Sequence, residues 1–201
     1  ITSILIAGLL CAAAHYPTGQ VASGATFTRV TTGPIATDAA HSLGCAWGDY
    51  DGDGYLDLMV GNFQGDANAL YHNEGDGTLP RVTTGANATT IGATDGVTWG
   101  DYDNDGDIDL FAADWQASSF LFRNDGNGNF TRVINGTMGR NGADSFGAAW
   151  GDYDDDGFLD LVVANAFGNE YLYRNDGNGT FSQVLTGPIP NSGMHSGSPL
   201  W

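Results

Sequence analysis

The sequence contains no lysine, and its six basic residues, all arginine, stand against 24 acidic residues in 201 positions. The formal net charge of −18 argues against nucleic acids and anionic membranes as partners, because like charges repel. Cysteine is almost absent, and the two residues, Cys11 and Cys45, cannot form a disulfide framework. Since Cys45 lies in a strand-like stretch before a tryptophan, we expect it to be a small buried hydrophobe.

Long hydrophobic runs are also absent, except for the apolar residues 1–14, which are too few to span a bilayer. Two interpretations of this run remain open. It resembles the hydrophobic region and cleavage site of a signal peptide, or it is the remaining strand of a degraded repeat. We therefore predict an apolar segment at 1–23 and a repeat domain at 24–201.

Two common catalytic motifs, G-x-S-x-G and H-E-x-x-H, do not occur, and the four histidines share no metal-ligand spacing. What the sequence does contain is one stretch in three copies, at 47–58, 99–110 and 150–161. Each copy reads W-G-D-Y-D-x-D-G-x-x-D-L, and the residues that follow alternate like those of a strand. These copies are the strongest functional signal in the chain.

Each copy places aspartates at loop positions 1, 3, 5 and 9 and a glycine at position 6. Two unit charges about 4 Å apart repel by roughly 4 kcal/mol at an effective dielectric constant near 20, so either the loop stays open or a cation gathers it. Calcium accepts six to eight oxygen ligands in irregular geometry, and the residue at position 7 can supply its backbone carbonyl. An EF-hand is excluded, because position 12 holds Val60, Ala112 or Val163 instead of glutamate.

The prediction is therefore about three calcium ions, one in each aspartate loop. The predicted ligands are Asp49, Asp51, Asp53, Tyr55 and Asp57 in the first loop; Asp101, Asp103, Asp105, Asp107 and Asp109 in the second; and Asp152, Asp154, Asp156, Phe158 and Asp160 in the third.

A period of 51 or 52 residues separates Trp47, Trp99, Trp150 and Trp201, and such a period is typical of propeller blades. The repeats fall at about 31–82, 83–133 and 134–184, with a partial copy at 185–201. Each has room for four short strands, predicted in the third copy at 148–152, 159–165, 170–174 and 180–185. The aspartate loop joins the first two strands, and Asn-Gly-rich turns at 73–77, 124–128 and 175–179 join the last two.

This pattern predicts an all-β fold, a β-propeller of four-stranded antiparallel blades, with three full blades and partial ones at both ends. The tryptophans and a second periodic series, Phe27, Phe130 and Phe181, are expected to fill the space between adjacent blades.

The repeated motif resembles the FG-GAP/VCBS repeat, which forms the blades of integrin α-subunit propellers and occurs in many secreted bacterial proteins. The resemblance covers about residues 24–190 and implies calcium in each D-x-D-x-D-G-x-x-D loop. Propellers of this family usually close with seven blades, more than this chain holds. The chain is then a piece of a longer ring, a closed ring of four blades, or an open array that assembles with copies of itself.

The function favoured by the sequence is an extracellular, non-enzymatic scaffold for adhesion, recognition or self-assembly, in which calcium is structural. Loops of this kind fill at millimolar calcium, which favours a secreted protein with a protein or glycan partner at the cell exterior. One alternative is a lectin-like module that reads glycans with the loops at 66–68, 114–118 and 167–169. The other is a polysaccharide lyase or hydrolase.

Overall fold

A computed structural model describes residues 27–85, 92–115, 118–126, 128–133, 138 and 144–189 of the chain. The predicted apolar segment at 1–23 and Trp201 lie outside the described residues, and the interpretations of both stay predictions. Within the described ranges, no helix is long and apolar enough to cross a membrane.

The described chain is all-β, with twelve strands in three antiparallel sheets of four strands each and one short helix, α1 (Pro34–Thr37). The strands of the first sheet are β1 (His41–Gly48), β2 (Asp57–Phe63), β3 (Ala69–Tyr71) and β4 (Arg81–Val82). Those of the second are β5 (Thr94–Gly100), β6 (Asp109–Asp114), β7 (Phe120–Asn124) and β8 (Phe130–Val133). Those of the third are β9 (Ser145–Gly151), β10 (Asp160–Asn165), β11 (Tyr171–Asn175) and β12 (Phe181–Val184).

Each sheet is a simple meander, in which every strand pairs with the next strand along the chain. The predicted strands of the third repeat match β9 to β12, with boundaries that differ by three residues at most. The predicted propeller blades of four antiparallel strands are thus confirmed, and we call the three sheets blades 1, 2 and 3.

The second strand of each blade is buried on both of its faces. All residues of β6 are buried, as are all but the last residue of β2. The reason is that the hydrophobic core lies between blades instead of inside one sheet. One cluster joins side chains of blades 1 and 2, including Met59 and Phe122, and another joins blades 2 and 3, including Phe111 and Tyr173.

Two of the periodic tryptophans fill the space between blades, as predicted. Trp99 packs on Gly48 of the preceding blade, where an added Cβ would lie 2.7 Å from Cδ1 of the indole. Trp150 packs in the same way on Gly100, with a corresponding distance of 2.6 Å. A glycine at the end of each first strand therefore makes room for the tryptophan of the next blade.

The prediction of burial is wrong for three residues at the start of the array. Cys45 is exposed, Trp47 is 39% exposed and Phe27 is 97% exposed. Cys45 and Trp47 alternate along β1 on the face turned away from blade 2, and no preceding blade exists among the described residues to cover that face. Phe130 and Phe181, the later counterparts of Phe27, are buried as expected, because each packs against the blade before it.

Candidate metal centres

The three aspartate loops connect the first and second strands of each blade, so all three lie at the same edge of the array. Their backbone takes the left-handed conformation at two positions. Position 6 is always glycine, with φ of 98° at Gly106, for example. Position 4 holds Gly52, Asn104 and Asp155, at φ of 72°, 59° and 58°. Glycine, asparagine and aspartate tolerate this conformation best, which explains why position 4 is restricted to these types.

The side chain of the aspartate at position 1 accepts backbone hydrogen bonds from its own loop and so stabilises the turn. Both oxygens of Asp49 accept backbone hydrogen bonds, from Asp53 N at 3.1 Å and from Gly54 N at 2.9 Å. The same pair of hydrogen bonds recurs at Asp101 and at Asp152, with distances between 2.9 and 3.1 Å. The short sequence motif therefore fixes the loop conformation locally, in the same way three times.

The aspartate at position 9 begins the second strand and lies buried beneath each loop. We call these three residues the floor aspartates. Asp57, Asp109 and Asp160 are fully buried. In each, one oxygen accepts a hydrogen bond from the backbone N–H at loop position 2. The other accepts one from a backbone N–H at the end of the third strand or just after it. Burial raises the pKa of all three, and that of Asp109 reaches about 7 despite these hydrogen bonds.

Carboxylate oxygens converge above this floor. One oxygen from each of Asp101, Asp103 and Asp109 lies within 4.8 Å of the others, and blade 3 repeats the arrangement with positions 1, 3 and 9 of its loop, Asp152, Asp154 and Asp160. In blade 1 two such groups overlap, Asp49 with Asp51 and Asp53, and Asp51 with Asp57 and His72. The predicted ligands at position 5 of the other loops, Asp105 and Asp156, are outside the groups found among the described residues.

These donors fit calcium in their chemistry. Blades 2 and 3 offer only carboxylate oxygens, which a hard cation prefers. Asp103 also has a buried Oδ1 without a hydrogen-bond partner in the described part of the chain, and burial followed by repulsion from Asp105 raises its pKa. A cation in this loop would supply the partner that this oxygen lacks.

The side chains at position 7 do not point into the loops. A Cβ on Gly75 would lie 2.4 Å from the ring of Tyr55, and one on Gly177 would lie 2.8 Å from the ring of Phe158. Both aromatic rings therefore cover the Asn-Gly-rich turn of their own blade, and Asp107 lies over the equivalent turn in blade 2. These side chains are therefore turned toward the neighbouring turn, and the use of their backbone carbonyls by a metal stays a prediction.

Sequence reasoning missed a set of asparagines, two of which link their blade to the aspartate loop of the preceding blade. Asn124 Nδ2 donates to Tyr50 O of blade 1 at 2.6 Å, and Asn175 Nδ2 donates to Tyr102 O of blade 2 at 2.7 Å. Both carbonyls belong to loop position 2 of the preceding blade. The 51-residue recurrence of Asn73, Asn124 and Asn175 is the signal that could have revealed this role.

The comparisons with known proteins agree with this geometry. A family model described as the FG-GAP-like repeat matches residues 49–112, 101–163 and 152–200, and each match begins at position 1 of an aspartate loop. No curated protein sequence matches the chain. A solved structure of a lectin from Agrocybe aegerita, which specifically recognises non-reducing terminal N-acetylglucosamine, is similar at a TM-score of 0.51 and 19% identity.

That match covers 80% of this chain and 43% of the lectin, so the chain spans less than half of the lectin's length. At this level of identity the likeness supports the fold and says nothing about the ligand.

Proposed function

The chain belongs to the FG-GAP-like repeat family, and from that premise we propose that it is an extracellular, non-enzymatic recognition scaffold stabilised by structural calcium. The observation that carries the proposal is the threefold convergence of carboxylates at the same edge of the array. Without a cation these groups repel one another, and burial raises the pKa of the floor aspartates. A bound divalent cation would offset both the mutual repulsion of the carboxylates and the unfavourable burial of their charge.

The expected contribution of calcium is large compared with the stability of a domain. At a free calcium concentration of one hundred times the dissociation constant, each site adds about 2.7 kcal/mol to the folded state. Three sites would then add about 8 kcal/mol, and removing them with EDTA should lower the melting temperature by more than about 10 °C. A melting temperature that is the same in calcium and in EDTA would refute the structural role.

Asp103→Asn sharpens this test, because the sign of its effect should depend on calcium. In EDTA the substitution removes one of several crowded negative charges, so we expect the free energy of unfolding to rise slightly. In calcium it removes a ligand, so we expect most of the stabilisation by that site, about 2.7 kcal/mol, to be lost. Equal effects in the two buffers would mean that Asp103 does not bind the ion.

The extracellular setting is supported by the affinity expected of such loops. Sites of this kind in extracellular modules bind calcium at 10⁻⁴ to 10⁻³ M, concentrations that the cytosol does not reach. A calcium titration by calorimetry tests the point. Dissociation constants below about 10⁻⁶ M would place the sites in the range of intracellular sensors and would contradict this setting.

Glycan recognition is a second candidate, favoured by an aromatic cluster at the opposite edge of the array. The rings of Trp115 and Phe146 lie 4.7 Å apart, and Phe167 packs edge-on against Trp115 at 6.3 Å. Phe167 is 62% exposed. These residues follow β6, begin β9 and follow β10, so they sit where two of the loops predicted to read glycans meet.

Aromatic faces of this kind stack on the C–H surface of a sugar, while neighbouring carboxylates accept its hydroxyl hydrogens. Glu170, one residue beyond this loop, has a buried Oε1 with no hydrogen-bond partner among the described residues. We expect binding on a glycan array that Trp115→Ala abolishes while the melting temperature is kept. Intact binding in this variant would refute the site, and turnover of the bound glycan would favour the polysaccharide-processing enzyme instead.

Self-assembly is a further way in which the scaffold could act. Tyr50 and Tyr102 are buried under the next blade, whereas Tyr153 of blade 3 is 40% exposed and Trp47 of blade 1 is 39% exposed. Among the described residues, the two ends therefore present the two halves of the interface that joins neighbouring blades. Light scattering in calcium tests this: particles larger than one chain that Trp47→Ala returns to single chains support assembly, and single chains throughout refute it.

A further inference from the structure

The three blades differ at one position beside the aspartate loops. The residue before the bridging asparagine is arginine in blades 2 and 3 and histidine in blade 1. Arg123 Nε donates to Asp125 Oδ1 at 2.8 Å, and Arg174 Nη2 donates to Asp176 Oδ1 at 2.7 Å. Both arginines thus reach outward to an acid of the neighbouring turn. His72 turns toward the aspartate loop instead.

The imidazole of His72 lies among the carboxylates of the first loop. Its Nδ1 is 3.1 Å from Asp57 Oδ1 and 3.3 Å from Asp51 Oδ2, and its Nε2 is 3.9 Å from Asp53 Oδ2. Asp57 is fully buried, and the side chains of His72 and Asp51 are each 23% exposed. One donor atom from each of His72, Asp51 and Asp57 lies within 4.8 Å of the other two.

Two contacts hold the ring in this place. The backbone N–H of His72 donates to Pro80 O at 3.0 Å, which fixes the start of the side chain. The imidazole also meets the ring of Tyr50 edge-on, with 6.1 Å between the ring centroids. Because Tyr50 is itself buried against Phe130 of blade 2, the orientation of the histidine depends on the packing between blades.

A nitrogen donor changes which ions a site prefers. Calcium takes oxygen ligands almost exclusively, whereas imidazole together with carboxylates suits zinc and other divalent transition metals. Loops 2 and 3 gather carboxylates alone, so among the described loops only the first has a mixed donor set. We propose that Asp51, Asp57 and His72 form a site for a divalent transition metal such as Zn²⁺, distinct in selectivity from the calcium loops of blades 2 and 3.

This inference refines one of the sites in the proposed function, and the experiment keeps the two apart. Calcium binding to loops 2 and 3 is followed by melting in calcium and in EDTA, without zinc. Zinc binding is followed by calorimetry on protein held in excess calcium, which fills the oxygen-only loops. Calcium stabilisation without zinc binding refutes the inference alone, whereas zinc binding without calcium stabilisation refutes the proposed function alone.

The decisive variant is His72→Arg, because arginine is the residue that blades 2 and 3 carry at this position and is compatible with the fold. We expect it to weaken zinc binding by at least about tenfold, the loss that follows even from removing an outer partner of a metal ligand. His41→Ala is the matched control. It removes the only other imidazole in the described ranges, which pairs with Asp66 through an Nδ1–Oδ2 distance of 3.0 Å, and it should leave zinc binding unchanged.

A second readout does not depend on any variant. The ring resonances of His72 should shift in NMR spectra when zinc is added and stay in place when more calcium is added. Zinc binding that survives His72→Arg would overturn the proposal.

Discussion

Replacing the bridging asparagine of blade 3, Asn175→Ala, should destabilise the protein by an amount that the structure allows us to work out. The buried side-chain amide donates to Tyr102 O of blade 2 at 2.7 Å and to Leu159 O of its own blade at 3.1 Å. Its oxygen accepts from Gly177 N at 3.0 Å. Alanine leaves one buried and one partly buried carbonyl without this donor, and an unsatisfied buried group costs about 1–3 kcal/mol. We expect a loss of about 3 kcal/mol.

Blade 1 supplies a matched control at the same position, Asn73→Ala. Asn73 Nδ2 donates to Leu56 O within its own blade at 2.9 Å, and this bond is exposed to solvent. The turn contact also exists here, from Gly75 N to Asn73 Oδ1 at 3.1 Å. Because water can replace the exposed bonds, we expect a loss of only about 1 kcal/mol. The difference of about 2 kcal/mol between the two variants measures the combined effect of burying the asparagine and of its hydrogen bond across the blade interface.

The assay is urea unfolding at pH 7 in saturating calcium, followed by both tryptophan fluorescence and circular dichroism. Coincident curves from the two probes are needed before a free energy is assigned, since repeat arrays can unfold in steps. Asn124→Ala is an internal replicate, because its amide bridges to Tyr50 O in the same way. If all three alanine variants lose the same free energy, the asparagines act only in their turns and the reasoning about the interface fails.

Three further predictions test other parts of the structure. Gly100→Ala places a Cβ 2.6 Å from the indole of Trp150, so it should cost about 1–3 kcal/mol by urea unfolding, and adding Trp150→Phe should recover part of the loss. Burial, and then Asp114, raises the pKa of Asp95 to about 6. The folded protein then binds a proton that the unfolded chain releases, and stability falls as the pH rises from about 4 to about 6. Asp95→Asn should make this fall smaller but should leave part of it, because the pKa values of Asp57, Asp109 and Asp160 are also raised. It should raise the free energy of unfolding at pH 7 in EDTA by about 1 kcal/mol after allowance for solvent screening, whereas an unchanged pH profile would show that Asp95 does not contribute to the fall. Gly157→Ala forces alanine to φ of 89° with no neighbouring atom within 4 Å, so calorimetry should show weaker calcium binding in loop 3 from backbone strain alone, and unchanged affinity would mean that the loop relaxes without cost.

The blade architecture could be predicted from the sequence because its signals are local and occur three times. Strand lengths, the Asn-Gly-rich turns and the loop spacing all depend on residues within one repeat. Repetition then separates the pattern from chance. The burial of individual residues was less predictable. Cys45 has the flanking residues of an inner strand, yet it is exposed because burial on that face requires a preceding blade.

The chemistry of the loops could likewise be predicted only in part. The aspartates at positions 1, 3, 5 and 9 were visible in the sequence, but which of them converge was not. Asp103 and Asp109 come together in blade 2, while Asp105 stays outside that group. The direction of the His72 side chain also could not be predicted from the sequence, because a histidine just after the third strand can turn either to the outer turn or to the aspartate loop.

The sequence by itself determined the blades and the conformation of each aspartate loop, because these rest on short-range hydrogen bonds and on glycine, asparagine or aspartate at left-handed positions. Only the tertiary structure decided what happens between repeats. Packing of Trp99 on Gly48, the bridge from Asn124 to Tyr50 O, and the placement of His72 against Tyr50 all join residues brought together by stacking blades or pairing strands. Such contacts depend on the relative position of whole sheets, which no local pattern encodes.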